Sequence, residues 1–538
     1  MKMHLAAHCT EMGEDLINEI ADKSDSGWTS RTKAAAIAII LIAAAIRLWG
    51  LGDQSVWQDE AYSAVLARQD VSTIVQMQVD DSSPPLYYLL LHFWTSSFGD
   101  SEFVIRLLSA LFGIGLVAAV LFITSSLFNR SAGLWAGGML AFAPLAVYYS
   151  QEARMYSLTP LLAILSVYFC HLVSDNPTPK RVAWFIGITA GLLYTQNYGV
   201  FILLVDGLYL LARRRERRDP RPMLALSGVV LLYLPWLIVL SRQVVGNTTA
   251  WILPPHLRML VDTALHLTFK SWRIPTTGLL KVSWGIGLAA ALVVLVQIIV
   301  FAVRLIQSSQ ASERACSWPI FLVLGYMVLP IACAFISSYS KPIYVAGRYD
   351  SIVQPGVYML LGLGIASIPL DWLRKALGIL LFAVLLISLH AYFTTYWKSN
   401  DRDVANWVAN NATESDLVLF TDLTVTPFLY YHPNSDVSRI RFPQAGLGYM
   451  PAGFFSNDLS YFEDEFRSVI RKVSAQWPRK RRLLVVLKPY RTSDLFVSRL
   501  NEESWLRLMR HVSFPAGHNA ENQVSEIIIY DIIKAPEL

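Results

Sequence analysis

Charge is scarce in this sequence. Only 16% of its 538 residues are Asp, Glu, Lys or Arg, against roughly 25% in an average soluble protein. Hydrophobic residues make up 54%, and the mean hydropathy is +0.42, which excludes an ordinary soluble enzyme. Cysteine is rarer still. Cys9, Cys170, Cys316 and Cys333 are scattered with no CxxC spacing, so neither a disulfide framework nor a cysteine zinc site is expected. There is no GxxxxGK[ST] phosphate loop and no GxSxG elbow. Gly362-Leu363-Gly364 lies inside an apolar run and lacks the strand-turn-helix setting of a nucleotide fingerprint. Internal repeats and low-complexity tracts are missing too. The net charge of +5 is mild. The run Arg213-Arg214-Arg215-Glu216-Arg217-Arg218 abuts an apolar segment, which suits a membrane face and not nucleic acid. Residues 1–30 have no basic start, apolar middle and small-residue cleavage site. No cleavable signal is expected, and the first span serves as the anchor. Within that polar tail, Met12, Leu16, Ile17 and Ile20 have the spacing of a short amphipathic helix.

What the chain does have is long apolar runs. Spans of roughly 18 to 22 residues fall near Lys33–Gly50, Val104–Phe128, Ala132–Val147, Ser157–Val173, Val182–Tyr194, Val200–Arg213, Met223–Leu240, Ser283–Arg304, Trp318–Ile336, Ile352–Ile368 and Ala376–Phe393. The expected fold is therefore a multi-span α-helical membrane protein of about eleven spans. Lys and Arg gather on alternate short loops, at Arg31 and Lys33, Arg130, Lys180 and Arg181, Arg213 to Arg221, Arg304 and Arg314, and Arg374 and Lys375. By the positive-inside rule that side is cytoplasmic. The loops 51–103, 148–156, 241–282 and 337–351, and the tail after Tyr396, then face outward.

Composition changes after Tyr396. Asp403 to Val408 has helix spacing, and Asp416-Leu417-Val418-Leu419-Phe420, Leu483 to Leu487 and Ile527 to Tyr530 read as strands. Phe462 to Val473 and Ser493 to Met509 are patterned as helices. The expected organisation is a cytoplasmic tail over 1–30, a membrane module over 31–395 with a functional outer loop at 51–103, and an extracytoplasmic α/β domain over 396–538. Inside the outer loop, Val71, Ile74, Val75 and Gln78 predict an interfacial helix.

Several loop residues could carry chemistry. Val56-Trp57-Gln58-Asp59-Glu60-Ala61-Tyr62 puts two adjacent carboxylates beside hydrocarbon, where charge usually serves a substrate or ion path. Neighbours on any regular element point in different directions, so one can face a reacting group while the other holds a cation, amide or metal. Arg47, near the outer end of the first span, is a candidate partner; for the acidic pair itself the alternative is interfacial anchoring with Trp57 or a plain helix cap. Asp80-Asp81 precedes Pro84-Pro85-Leu86-Tyr87-Tyr88 and either completes a magnesium or manganese site or forms a solvated turn. Ser150-Gln151-Glu152-Ala153-Arg154-Met155-Tyr156 either offers a guanidinium fork suited to phosphate, with Glu152 to orient it, or anchors Arg154 at the interface. Lys341 and Gly347-Arg348-Tyr349 add outward cations, against the charge asymmetry, which favours an anionic ligand there. His256 and His266 are spaced for a loop role and not for a zinc helix. Asn247-Thr248-Thr249 and Asn411-Ala412-Thr413 match a glycan acceptor pattern that often arises by chance. Asp206, inside an apolar run, is either functional or a paired structural group.

The stretch Trp57-Gln58-Asp59-Glu60-Ala61-Tyr62 after an Arg-Leu-Trp-Gly-Leu exit resembles the GT-C class of membrane glycosyltransferases. Pro84-Pro85-Leu86-Tyr87-Tyr88, Phe103 to Ser109 with Arg106, and Gln151 to Tyr156 continue the likeness. The nearest branch is the bacterial one related to protein O-mannosyltransferases and the lipid A aminoarabinose transferase. The resemblance implies sugar transfer from a polyprenyl-phosphate donor to a hydroxyl of a lipid, glycan or protein, on the extracytoplasmic face of the plasma or inner membrane. It implies Asp59 as the catalytic carboxylate with Glu60 beside it. Arg154, Arg348, Lys341 and Tyr349 would hold the donor phosphate, supported by Arg47, Glu152, Tyr87, Tyr88 and Tyr156. Many members have His before the double proline where this chain has Ser83. A metal or phosphate role there is then missing or passes to Asp80 or Asp81. A transporter or flippase of a lipid-linked or anionic substrate is the competing expectation. Transport predicts broken helices with ionisable residues near mid-span, whereas here those residues gather in loops.

Overall fold

The computed structural model describes residues 28–534 except 82, 246–251, 272–273, 275, 308–316, 396–397, 422–423, 444–458, 489–490 and 515–524. The amphipathic run in the N-terminal tail, Asn247-Thr248-Thr249, Cys9 and Cys316 lie outside the described residues. By contacts the chain divides into two compact units. One comprises residues 1–49, 107–240 and 254–394; the other comprises 50–106, 241–253 and 395–538.

The first unit is helical. Each apolar run of the sequence forms a helix, and one run forms two. Six helices are long and apolar enough to cross a membrane: Glu102–Leu127, Leu158–Asp175, Arg221–Val244, Gly278–Val300, Ser317–Ser337 and Asp371–Thr394. Arg130–Ala141 plus Pro144–Ser150, bent by 62°, makes a seventh if the pair is counted as one span. Pro144 has no backbone N–H to continue the first helix, and it opens the second at its first position. The remaining runs are helices Ser30–Leu48, Pro179–Leu193, Gly199–Arg217 and Gln354–Ala366. The first and third of these have 19 residues, the second 15 and the last 13. None of the four meets the length and hydropathy test for a span.

The second unit joins a small sheet domain to the segment 50–106. Strands β1 (Asp416–Thr421), β2 (Arg439–Phe442), β3 (Arg482–Leu487), β4 (Leu506–Phe514) and β5 (Ser525–Ile532) form one sheet in the order β2-β1-β3-β5-β4. β1 pairs in parallel with β2 and β3, while β5 runs antiparallel to β3 and β4. Residues 417–420 of β1 and 483–487 of β3 are continuously apolar because both faces are covered. Leu417, Leu419, Leu483 and Val485 face helices Leu459–Gln476 and Arg491–Glu502 through Phe466, Val469, Phe496 and Leu500. Val418, Phe420, Leu484 and Val486 face Asp401–Asn411 and Val425–Tyr431 through Val404, Val408 and Phe428.

The predicted helix over 493–509 ends at Glu502, and its last residues begin β4. Arg507, Leu508, Met509 and Arg510 lie along a largely exposed edge strand, so no buried alternation marks it in the sequence. β2 and helix Val425–Tyr431 are further elements that the pattern does not announce.

The candidate active site

The acidic pair opens helix Gln58–Ala67. Trp57 takes the cap position in extended conformation without a side-chain cap bond, and Asp59 and Glu60 occupy the first turn, where helix-dipole charge favours carboxylates. The next helix, Val71–Asp80, follows the predicted spacing and is capped by Asp70, whose carboxylate accepts the Thr73 N–H at 3.0 Å. The double proline leads into helix Leu86–Phe98, which buries Tyr87 and Tyr88. Tyr88 meets Tyr62 edge-on, with centroids 6.0 Å apart.

The two carboxylates have different surroundings. Glu60 is fully buried. Arg106 donates from Nε and Nη2 to its two oxygens, each at 2.8 Å, and Lys398 Nζ lies 2.9 Å from Oε1. Burial alone pushes the Glu60 carboxyl up, but Arg106 and Lys398 outweigh it and hold the carboxyl down at about 2. Asp59 is half-buried. One member of the pair is thus fixed in an ion cluster, and the other keeps partial access to its surroundings.

The cation expected from sequence for this pair is Arg47. Its guanidinium instead donates to the carbonyl oxygens of Ala43, Leu140 and Ala141 at 3.3, 3.4 and 3.1 Å. Arg47 sits in a turn of its own helix facing the 140–141 carbonyls, which explains that choice. Lys398 gives no signal in the sequence: a single lysine just past the last span looks like an ordinary flank.

Asp81 accepts the Tyr62 hydroxyl at 3.2 Å, and the Gln78 amide donates to the same hydroxyl at 2.8 Å. Gln243 donates to the carbonyl oxygens of Gln78 and Asp81. Asp80 ends its helix. Among the described residues no three of His, Cys, Asp and Glu gather in a way that could hold a metal ion. Asp80 and Asp81 do not by themselves form a fitting donor set for magnesium or manganese.

In the helical unit the expected phosphate residues cluster around tyrosines. The guanidinium carbons of Arg154 and Arg348 lie 6.0 and 5.6 Å from the centroid of the same ring, Tyr156. Arg348 Nε donates to the Tyr156 hydroxyl at 2.7 Å, and its guanidinium also lies 5.8 Å from the Tyr349 ring centre. Arg154 is buried beside Glu152, and its backbone carbonyl accepts the Ser109 hydroxyl at 3.1 Å. Gly347, at φ +77°, has the left-handed conformation that favours glycine, and its carbonyl accepts the Tyr149 hydroxyl at 2.5 Å. Tyr198 donates to the Ile343 carbonyl at 2.6 Å. Lys341 is half-buried in the same loop, and burial lowers its ammonium below the usual lysine range.

Asp350 closes this loop. Sequence reasoning missed it, since it stands there only as the residue after Arg348-Tyr349. It is buried, and its Oδ2 accepts the Thr263 hydroxyl at 2.8 Å and the Tyr344 hydroxyl at 3.4 Å. Burial pushes its carboxyl up to about 6, opposed by hydrogen bonds from the Gly347 amide, Thr263 and Tyr344. His256 is exposed and His266 buried, and burial, then Lys270, lowers the His266 ring to about 3. Asp206 accepts the Ser166 hydroxyl at 2.7 Å, which itself meets Thr189 at 2.7 Å.

Residues 82–239 match the family model described as dolichyl-phosphate-mannose-protein mannosyltransferase. The fold matches ArnT from Cupriavidus metallidurans bound to undecaprenyl phosphate, with TM-score 0.55 and 12% identity, over 93% of this chain and 99% of that one. The apo state of that protein matches at TM-score 0.54 and 12% identity, over 95% and 100%. No curated protein matches the sequence. In its fold and in the matched segment the chain resembles glycosyltransferases of the GT-C class, with helices apolar and long enough to cross a membrane and a small sheet domain. The stretch that matches the family model runs from the double-proline segment into helix Arg221–Val245.

Proposed function

We propose that this protein transfers a sugar from a polyprenyl-phosphate donor to an acceptor hydroxyl at the extracytoplasmic membrane face, with Asp59 as general base. The split within the acidic pair carries the reading. Glu60 is fully buried against Arg106 and Lys398, whereas Asp59, only half-buried, is the carboxylate of the pair that a substrate can reach. ArnT, the fold relative, was solved with undecaprenyl phosphate, and the matched family acts from dolichyl-phosphate-mannose. Both support a polyprenyl-phosphate donor.

In the proposed step, Asp59 takes the proton of the acceptor hydroxyl. The hydroxyl oxygen bonds to the anomeric carbon while the bond from that carbon to the phosphate oxygen breaks. Polyprenyl phosphate leaves with the electron pair, and a single displacement inverts the sugar. General-base help is worth roughly 100- to 10,000-fold in rate. Arg154 and Arg348, with Lys341 and Tyr349, meet the charge growing on the departing phosphate, a preorganised field of the kind that often dominates catalysis. Arg348 suits that task because Tyr156 and Tyr349 fix the plane of its guanidinium. The apolar helices give the isoprenoid tail a place among the spans. The acceptor can be a lipid, glycan or protein hydroxyl, and an acceptor identified by its product fixes which.

Mass spectrometry of envelope glycolipids and glycoproteins tests the reading in cells carrying the wild-type chain or none. Loss of a sugar mass together with accumulation of a polyprenyl-phosphate sugar is the expected result. An unchanged envelope with a transported solute that depends on the protein would instead favour the transporter.

A further inference from the structure

Glu60 is met by two cations, and one of them comes from the segment that begins the sheet domain. Arg106 alone completes the pair. Two of its donors meet the Glu60 carboxylate, and the rest go to the carbonyl oxygens of Leu51, Gln54 and Ser55. A guanidinium has five N–H groups, so all of them are in use. Lys398 then adds a second buried cation on Glu60 Oε1. Taking another ammonium out of water is costly, and a third charge is a poor way to stabilise a pair already made.

Position explains it better. The segment from Lys398 to Arg402 lies along the turn that feeds helix Gln58–Ala67. The Lys398 amide donates to Gln54 Oε1 at 3.2 Å, and the Ser55 hydroxyl donates to the Ser399 carbonyl at 2.6 Å. Arg402 pairs with Glu102. Further along the domain, Tyr431 accepts the Val56 N–H at 2.7 Å and also meets Glu102. Arg68, just past the helix, donates to the carbonyl oxygens of Leu429 and Tyr430 at 3.1 and 2.9 Å. The helix lacks a side-chain cap at Trp57, so its start is held from outside by these contacts.

We infer that Lys398 is a positioning residue for sugar transfer: through Glu60 it lets the sheet domain set the start of the helix that carries Asp59. The role rests on the reading of Asp59 as the base. It makes the sheet domain a working part of the transferase and not an appended module. A displacement of about 1 Å at a reacting group can lower a rate roughly 100-fold, so loss of this hold need not unfold anything to stop transfer.

Hydrogen–deuterium exchange by mass spectrometry on the full chain in detergent tests it, alongside the envelope product in cells. Lys398→Met should speed exchange of amides within 52–67 by about tenfold or more and lower the product at least as much. Exchange in β1, β3 and β5 should stay unchanged, which a general loss of stability would not allow. Lys398→Arg should restore both, because its charge can reach the same carboxylate. If Lys398→Met does not insert, Lys398→Gln takes the same two measurements. Unchanged exchange in 52–67, or faster exchange with a full yield of product, overturns the inference. Full product from Asp59→Asn would overturn the base reading instead, and the exchange data would still report on Lys398.

Discussion

Glu60 and Lys398 are joined at 2.9 Å although almost the whole membrane unit lies between them in the chain. With Arg106 they form a buried cluster of one carboxylate and two cations. Removing only the carboxylate leaves both cations without it. Glu60→Gln should therefore destabilise the second unit by about 3 to 5 kcal/mol, the usual effect of breaking a buried pair from one side. Thermal unfolding in detergent reads this, and an unchanged melting temperature would contradict the cluster.

The same cluster sets an acid response. Burial raises the Glu60 carboxyl, but the two cations hold it at about 2, below its ordinary value of 4.5. A lowered carboxylate contributes stability that is present above about 4.5 and lost as pH falls through about 2. The wild-type protein should lose melting temperature across that window more steeply than Glu60→Gln. Parallel curves for the two proteins would count against it.

Asp350 should behave in the opposite sense. Burial raises its carboxyl from 3.8 to about 6. The folded state binds that proton more tightly, so the contribution is full below 3.8 and fades as pH rises through about 6. Asp350→Asn keeps an acceptor for Thr263 and Tyr344 but cannot ionise. Its melting temperature should fall less than that of the wild type between pH 4 and pH 7, as roughly set by those two values. A steeper fall in the variant would refute the assignment.

Arg348 is held to Tyr156 by both its Nε and the face of its guanidinium. Hydrogen bonds to charged groups are worth about 1.5 to 3 kcal/mol, so Arg348→Lys should weaken binding of farnesyl phosphate roughly tenfold or more. Tyr156→Phe should weaken it less, since the cation remains while one restraint is lost. Titration of the full chain in detergent checks both. Equal affinity in all three proteins would remove Arg348 from the phosphate site.

The helices are legible in the sequence because apolar runs in a membrane protein are continuous over many residues. Asp416 to Phe420 and Leu483 to Leu487 are legible as strands because both of their faces are buried. The edge strand β4 is not, since its exposed residues follow no alternation of burial. Asp59 stands out through its neighbour and its place beside a span. Lys398 does not, because its meaning lies in a contact with Glu60 that no local spacing encodes. Arg47 misleads for the converse reason. It is near the acidic pair along the chain, yet carbonyl groups of Leu140 and Ala141 take its donors. The bend at Pro144 is hidden within one apolar run, although the proline itself is visible.

The most direct measurement compares the envelope product from cells carrying wild type, Asp59→Asn and Asp59→Glu at matched membrane levels. Asp59→Asn keeps the shape of the side chain and removes its ability to take a proton. The base role requires a fall in product of at least about 100-fold, with unspent polyprenyl-phosphate sugar accumulating and some activity left in Asp59→Glu. A wild-type yield from Asp59→Asn would contradict it.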